Sequence, residues 1–455
     1  MEHADIQGAG DERALGDDGR PMAQNLPLNR SIWASTAKAG PETRPLQGDV
    51  TAEVAVIGGG FSGLSTALHL AERGTDVRLL EADEVGWGGS GRNAGLVNAG
   101  LFVDPSVIVG HYGERHGPGF ARLLGNAPLL VRELIERHRI DCDAGDRGIV
   151  KAAHSNAALR TVQETVRQWQ DLGEPVELLS AADVARRTGS SFYKGGLIDH
   201  RSFTIEPLAY ARGLADAAVE AGAKLHARSR ARRIEAVAGG VRIETDQGTL
   251  AAKRAVIATG AYDQALLPSL TRAFVPVGYF LVATEPLSHN MRAQVLPEKQ
   301  AVYDTQPSLL SVRYNREHRL VVGNLGWLPP ERSGRTWAGH VLRELFPMLG
   351  DIRFTHGWSG VLDMTDDHMP WLAEPMPNVL MVGGFNGRGI GPGTAWGKVL
   401  ADWAASGDAS SLPIRPQAVP NIRSRWIKGH AYQAAFKGYR LRMRLRRPRR
   451  AKEPA

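Results

Sequence analysis

The chain has 455 residues, a 43% hydrophobic composition and a net charge of +7, enough for two domains or one elaborated core. Its single cysteine, Cys142, excludes an internal disulfide and any multi-cysteine zinc or iron–sulfur site, and fits a reducing compartment. The opening MEHADIQGAGDERALGDDGR lacks the layout of a secretory signal, and no apolar run approaches the roughly 20 residues that span a bilayer. A cytoplasmic protein is therefore expected.

Residues 1–49 read as a polar lead segment, with Trp33 a candidate anchor at its end. The texture then changes. AEVAVIGGG is a short apolar run ending in glycines, as a strand buried on both faces of a parallel sheet should be. In SGLSTALHLAERG, Leu64, Ala67, Leu68 and Ala71 share one helical face and Gly74 ends it; DVRLLEAD is a second strand. This is a βαβ unit opening a doubly wound α/β domain.

Helical patterns follow in PLLVRELIERHRI and LRTVQETVRQWQDL, then a buried-strand pattern in KRAVIATGAY, Lys253 to Tyr262. Alternating strands follow in FVPVGYFLVATEPL and HRLVVGN, and a third buried run in NVLMVGGFNGRGIGPG, with a helix expected from Gly393. The predicted fold is thus a Rossmann-like nucleotide domain assembled from 50–110, 200–262 and 355–408, plus a sheet-rich α+β substrate domain from 111–199 and 263–354. Residues 409–455 form a basic tail, with much of the positive excess in KGYRLRMRLRRPRRAKEPA. A terminal run of this kind is not the basic folded face of a nucleic-acid-binding domain, so no nucleic acid is expected. Tyr439, Leu441, Met443 and Leu445 alternate with the charges, a poor helical pattern; a solvated end is expected ahead of membrane-surface contact.

Gly58, Gly60 and Gly63 form G-x-G-x-x-G after a strand and before a helix, so backbone and helix N-terminus can approach a pyrophosphate. Glu81, about 20 residues on, suits ribose hydroxyls and repels a 2′-phosphate. Immediately afterwards GWGGSGRNAG places five glycines around Arg92. Such a loop can run over a large flat ligand, and an arginine beside a flavin ring stabilises the negative charge that reduction brings. The second glycine-rich turn, GGFNGRGIGPG, carries Arg388, so two loops with one arginine each suit a ring held on both sides.

VAVIGGGFSGLSTALHLAERG, LLEADEVGWGGSGRNAG, AVIATGAY, ATEPL, WSGVLDMTDDHMP and MVGGFNGRGIG, in that order, resemble the D-amino-acid-oxidase-like FAD oxidoreductases, and within them the gamma-glutamylputrescine oxidase branch. The resemblance implies a discontinuous FAD-binding domain and oxidation of the C–N bond of an amine or amino acid. Hydride would pass to flavin N5, with oxygen the expected acceptor giving hydrogen peroxide. A dehydrogenase passing electrons to a quinone or protein, or a flavin-binding protein without turnover, are the alternatives. It further implies that Gly58, Gly60 and Gly63, with Phe61 and Ser62 between them, hold the pyrophosphate, and that Glu81 and Ala82 meet the adenosine ribose. Gly88, Ser90, Arg92, Asn93 and Gly95 would lie along the flavin, and Gly384, Phe385, Asn386, Gly387, Arg388, Gly389 and Ile390 over its pyrimidine edge. Ala231 would meet adenine and Gly260 the nucleotide. Relatives commonly carry histidine where Arg388 stands, and Ser311 and Val312 replace aromatic residues, so the substrate pocket is expected to be recut. The cysteine through which some relatives link FAD covalently is missing, so non-covalent FAD is expected.

No Ser/His/Asp order or metal-spaced histidine cluster stands out, and no catalytic base is assigned. Arg388, Arg92, Tyr279 and Trp358 are the catalytic candidates. Tyr303 and Trp327 are further candidates for a pocket wall, His356 and His368 for facing the flavin, and Asp366 and Asp367 for attracting a cationic amine. Arg313 is a candidate partner for a substrate carboxylate or, alternatively, a surface strand charge.

Overall fold

A computed structural model describes residues 28–262, 265–327 and 330–445. Its architecture is two eight-stranded sheets flanked by helices, with a two-stranded ribbon, Leu96–Val97 against Phe203–Thr204. The first sheet runs Trp371–Met376, Val379–Gly383, Gly248–Ile257, Gly48–Ile57, Val77–Leu80 and Lys224–His226, with the hairpin Arg233–Val237/Gly240–Glu244 on the early half of Gly248–Ile257. Gly48–Ile57 pairs in parallel with Gly248–Ile257 along its whole length. Val54 to Ile57 are buried, as a central parallel strand covered by helices must be. The helix Phe61–Ala71 is buried at every position because it is enclosed between this sheet and the helices Pro207–Glu220 and Ile390–Ser406. At Gly397 a Cβ would collide with Ser65 and lie 2.6 Å from the Ser62 carbonyl, so only glycine permits that helix crossing.

The second sheet orders Phe354–Met364, Val275–Pro286, Arg319–Leu325, Ser311–Tyr314, Ala301–Asp304, Ile149–Ala152, Gly196–Asp199 and Val176–Leu179. All neighbours are antiparallel except Ala301–Asp304 against Ile149–Ala152. Its second strand, Val275–Pro286, is buried over its first ten positions. Phe280 and Val282 face the helix Arg335–Leu345 through Trp337 and Val341, while Tyr279 and Leu281 face Ile32, Trp33 and Trp358.

Three sequence expectations are corrected. Phe354–Met364, placed by motif in the nucleotide domain, is a strand of the second sheet, paired from Val275↔Met364 to Thr284↔Phe354. Pro105–Arg137, most of which was assigned to the substrate domain, buries Phe120, Leu124 and Val131 in the core of the nucleotide domain, with Phe120 and Trp396 ring centroids 5.6 Å apart. As far as residue 445 the tail is not a solvated end: Arg425–Leu445 is a helix. Tyr432, Phe436, Tyr439, Arg440 and Met443 turn towards the protein at helical spacing, a period hidden in the sequence because Arg440 is itself buried there. The expectations for residues 1–27 and for the end of the tail beyond 445 lie outside the described residues. No described helix is long and apolar enough to cross a membrane.

Trp33 is fully buried, its Nε1 donating to the Asn93 carbonyl (2.9 Å) and its ring meeting Trp358 edge-on with centroids 5.7 Å apart. Replacing it removes a large aromatic volume from a junction between the lead segment, the second sheet and the glycine loop. Trp33→Ala is expected to cost about 3–5 kcal/mol and Trp33→Phe only about 1 kcal/mol, for the lost hydrogen bond. Denaturation midpoints check this; equal losses for the two variants would contradict it.

Candidate active site

The parallel pairing of Gly48–Ile57 with Gly248–Ile257 ends both strands at the same edge, where their following turns meet. Gly58 has φ +111°, and a Cβ on it would lie 2.6 Å from the Ala258 carbonyl. A Cβ on Gly63 would collide with the Gly58 carbonyl, and one on Gly60 would sit 2.9 Å from Ser90 Oγ. The three glycines thus make a cradle that any side chain would fill. The Phe61–Ala71 helix begins at this cradle, with Phe61 N donating to Ser90 Oγ (3.0 Å), so its positive end opens on the groove. Glu81 Oε2 accepts from Gly59 N (2.6 Å) and Oε1 from Asp83 N (2.8 Å), while burial pushes its pKa up against these bonds.

One cavity of about 620 Å³ starts at this cradle and runs to the second sheet. Of the sequence candidates, Gly58, Gly60, Phe61, Ser62, Glu81, Ala82, Gly88, Ser90, Asn93, Ala231 and Gly260 line it, as do Phe385, Asn386, Gly387, Gly389 and Ile390 from the late loop. Its far chamber is walled by Tyr279, Tyr303, Leu309, Ser311, Asn324 and Leu362, together with Tyr432 and Phe436 of the C-terminal helix. The Tyr279 hydroxyl is buried near that of Tyr262 but makes no hydrogen bond of good geometry; Tyr262 Oη accepts from Val361 N (2.9 Å). A long groove with a helix N-terminus and a buried acid at one end, opening into an aromatic chamber at the other, fits an extended dinucleotide with a planar ring.

Other candidates stand behind the wall. Gly63, Gly95 and Gly384 shape the backbone without lining the cavity, and Val312 packs in the core of the second sheet. Arg92 is a correction: its guanidinium is buried over the Trp87 ring at 4.6 Å, and its Nε donates to the Trp87 carbonyl (2.7 Å). The glycine loop folds back on its own arginine, so that charge serves the loop and Trp87 takes the place on the cavity wall. Trp358 also lies outside the wall; its Nε1 donates to the Arg92 carbonyl (2.8 Å). Arg388 sits behind Tyr303, donating from Nη2 to its hydroxyl (2.9 Å) with the guanidinium 4.3 Å from the Phe102 ring centre. It borders a separate polar void of about 30 Å³.

Arg313 is neither a surface charge nor a cavity residue. It is buried over the Trp33 ring, donates to the carbonyls of Gly95 (2.9 Å), Tyr314 (2.8 Å) and Ile205, and has its pKa lowered to about 10 by burial. It staples the glycine loop to the second sheet. Asp366 pairs with Lys428 (2.6 Å), and Asp367 accepts from Met369 N (3.0 Å), so both serve structure. His356 and Trp327 lie outside the wall, whereas His368 lines it at φ +59°. Cys142 is buried in the nucleotide-domain core, its thiol pushed up to about 12 by burial.

Sequence reasoning missed Arg230 beside Glu81, Trp87, Asn324, Tyr432, Phe436 and above all Asp363. Asp363 is buried, lines the cavity, and accepts through Oδ2 from Gly384 N (2.7 Å) and Phe385 N (3.2 Å), fixing the late loop to the end of a second-sheet strand. In the LDMTDD stretch Asp363 carries the same composition signal as the neighbouring Asp366 and Asp367, and only the fold singles it out. Burial raises its pKa from 3.8 to about 6 against the lowering effect of those N–H donors. A raised carboxyl means the native state holds a proton that the unfolded chain has released, so ionisation costs stability as pH climbs from about 4 to about 6. Asp363→Asn keeps an acceptor for both N–H groups and removes that cost. Its stability relative to the parent is expected to rise over this window, levelling off above pH 6 at no more than about 3 kcal/mol. Denaturation midpoints at pH 4 and pH 7 decide it; a pH-independent difference would refute the assignment.

Residues 53–403 match the sequence pattern of the DAO family, described as FAD dependent oxidoreductase. The chain is 32% identical to gamma-glutamylputrescine oxidoreductase of Escherichia coli (strain K12), over 91% of this chain and 98% of that one. It is 26% identical to glycine oxidase of Geobacillus kaustophilus (strain HTA426), over 71% of this chain and 84% of the other. Its fold matches the crystal structure of glycine oxidase from Geobacillus kaustophilus with a TM-score of 0.67 at 22% identity, covering 81% of this chain and 100% of that one. The glycine cradle, the buried acid and the extended groove agree with the cofactor of that family, and the chain belongs to the FAD-dependent oxidoreductases of the DAO family.

Proposed function

We propose that this protein is an FAD-dependent amine oxidase, taking a gamma-glutamylputrescine-like substrate with oxygen as the electron acceptor. The observation that carries the reading is the continuous cavity, which joins a nucleotide cradle to a chamber walled by apolar and aromatic side chains. The similarity to the Escherichia coli oxidoreductase over nearly its whole length supports the substrate class. When bound, FAD would supply the two-electron oxidant that converts the amine to an imine, with oxygen as final acceptor yielding hydrogen peroxide and water hydrolysing the imine.

The residues of the chain do the rest. Gly58, Gly60, Gly63 and the helix behind them would receive the pyrophosphate of the cofactor, and Glu81 with Arg230 would face its adenosine end. Asp363 holds the Gly384–Phe385 backbone in place over the ring site. Tyr279, Leu281, Leu362 and Phe436 exclude water from the chamber, which favours the neutral amine, the form able to release hydride. The Tyr279 hydroxyl is buried beside that of Tyr262 and against Gly360, so this residue offers the chamber its ring and not its hydroxyl. Cytoplasmic residence is part of this reading, in keeping with the lone reduced Cys142.

The test is an anaerobic visible absorbance titration of the purified holoenzyme with gamma-glutamylputrescine, followed by admission of air. The expected outcome is bleaching of the flavin band, then its return with one hydrogen peroxide formed per amine consumed. Bleaching without peroxide would point to another electron acceptor, and no bleaching would remove this amine as the substrate.

A further inference from the structure

Resting on the reading above, we infer that the helix Arg425–Leu445 is the specificity-determining wall of the substrate chamber, with Tyr432 and Phe436 as the residues that grip the arm of the amine. The helix lies wholly outside the segment matched to the family, which ends at residue 403. Its Tyr432 and Phe436 nevertheless line the same cavity as the glycine cradle. The two rings are stacked, with centroids 6.2 Å apart and planes 18° from parallel, and pack against Val275, Val277, Leu325 and Leu362 of the second sheet. They present an aromatic strip to the chamber beside Leu362, which itself borders the late glycine-rich loop at Gly387.

The helix is tied down where a wall needs to be rigid. Arg440 Nη1 donates to the Leu325 carbonyl (2.8 Å), and Gln433 Oε1 accepts from Trp327 N (3.0 Å). Tyr439 donates to Gln306 Oε1, next to the cavity residue Pro307, and Lys428 pairs with Asp366 (2.6 Å). Between these ties Gly326, at φ +92°, comes so close to the helix that a Cβ would lie 2.9 Å from Phe436 Cβ. Every tie ends on a segment that also borders the chamber, so the position of the two rings is fixed relative to the remaining walls.

An aromatic strip of this kind has little to offer a compact α-amino acid, whose carboxylate sits on the reacting carbon and needs an ionic partner inside the chamber. Among the described residues, the only lysine or arginine side chain lining the cavity is Arg230, at the nucleotide end. The strip suits instead a run of methylene groups, gained by burial against the rings, or a cationic nitrogen set over a ring face. The class selected is an amine carrying an extended alkylene arm.

The experiment compares gamma-glutamylputrescine with ethylamine, which keeps the reacting CH2–NH2 end and lacks the extended alkylene arm, in the parent holoenzyme and in Phe436→Ala, Tyr432→Ala and Leu441→Ala. Leu441 faces outward on the same helix and controls for damage to the helix itself. The expected result is a fall of about tenfold in the kcat/KM ratio of long to short amine for the two chamber variants, carried by KM, with flavin content and the Leu441→Ala ratio unchanged. An unchanged ratio, or an equal loss in Leu441→Ala, overturns the assignment. Quenching of flavin fluorescence by iodide is read in parallel, and is expected to rise severalfold when Phe436 is truncated and the chamber opens. If the parent oxidises neither amine, the proposed substrate falls while the wall is judged on quenching alone, and unchanged quenching overturns it.

Discussion

The parallel pairing of Gly48–Ile57 with Gly248–Ile257 is the constraint on which the molecule rests. The strands lie 200 positions apart, as the register Gly48↔Gly248 to Ile57↔Ile257 shows, and they are hydrogen-bonded neighbours throughout. Closing so long a loop costs only slightly more entropy than closing a short one, but the pairing must be specific to repay it. The buried Val54–Ile57 and Ala255–Ile257 segments supply that specificity, since a slip of one residue would turn each side chain to the opposite face. Once the register is set, the turns after both strands arrive at one edge, and Gly58 meets Ala258 so closely that neither turn could take a different path.

The site is assembled around that edge by polar groups that act on backbone more than on ligand. Arg313 ties Gly95 and Ile205, Trp358 ties Arg92, and Asp363 ties Gly384 and Phe385. Each is buried, and each connects a glycine-rich loop to the second sheet or to the carbonyls beside it. Glycine loops have little stiffness of their own, since they bring no side chains to pack. Here buried charges with fixed carbonyl or N–H partners give the loops a single shape before any cofactor is considered. Both arginines of the glycine-rich turns, Arg92 and Arg388, lie behind the cavity wall, one donating to the Trp87 carbonyl and the other to the Tyr303 hydroxyl.

Backbone chemistry was the legible part. The glycine spacing, the run of Val54–Ile57 and the position of Glu81 follow from rules with a short reach along the chain, and the cradle and its buried acid appear where those rules put them. What depended on partners distant in sequence was not legible. Arg92 and Arg313 have the same composition signal whether they face a ligand or a carbonyl, and only the fold decides. The helix Arg425–Leu445 was obscured for a different reason: a buried Arg440 counts as polar in any periodicity, although its guanidinium is satisfied by the Leu325 carbonyl beneath it. The strand Phe354–Met364 was assigned to the wrong sheet because a motif that continues in sequence, from Trp358 to Pro370, crosses a domain junction in space.

The chain passes between the two sheets repeatedly, and this has a consequence for the order in which the protein can be made. During synthesis from the N-terminus, the first βαβ unit emerges early, yet its neighbour Gly248–Ile257 and then Val379–Gly383 must follow before its far side is covered. The helix bearing Tyr432 and Phe436 comes later still. A nascent chain can therefore complete its nucleotide cradle while one side of the chamber stands open to solvent. Selectivity is acquired after the cradle, added when residues 425–445 dock on a sheet that is already formed.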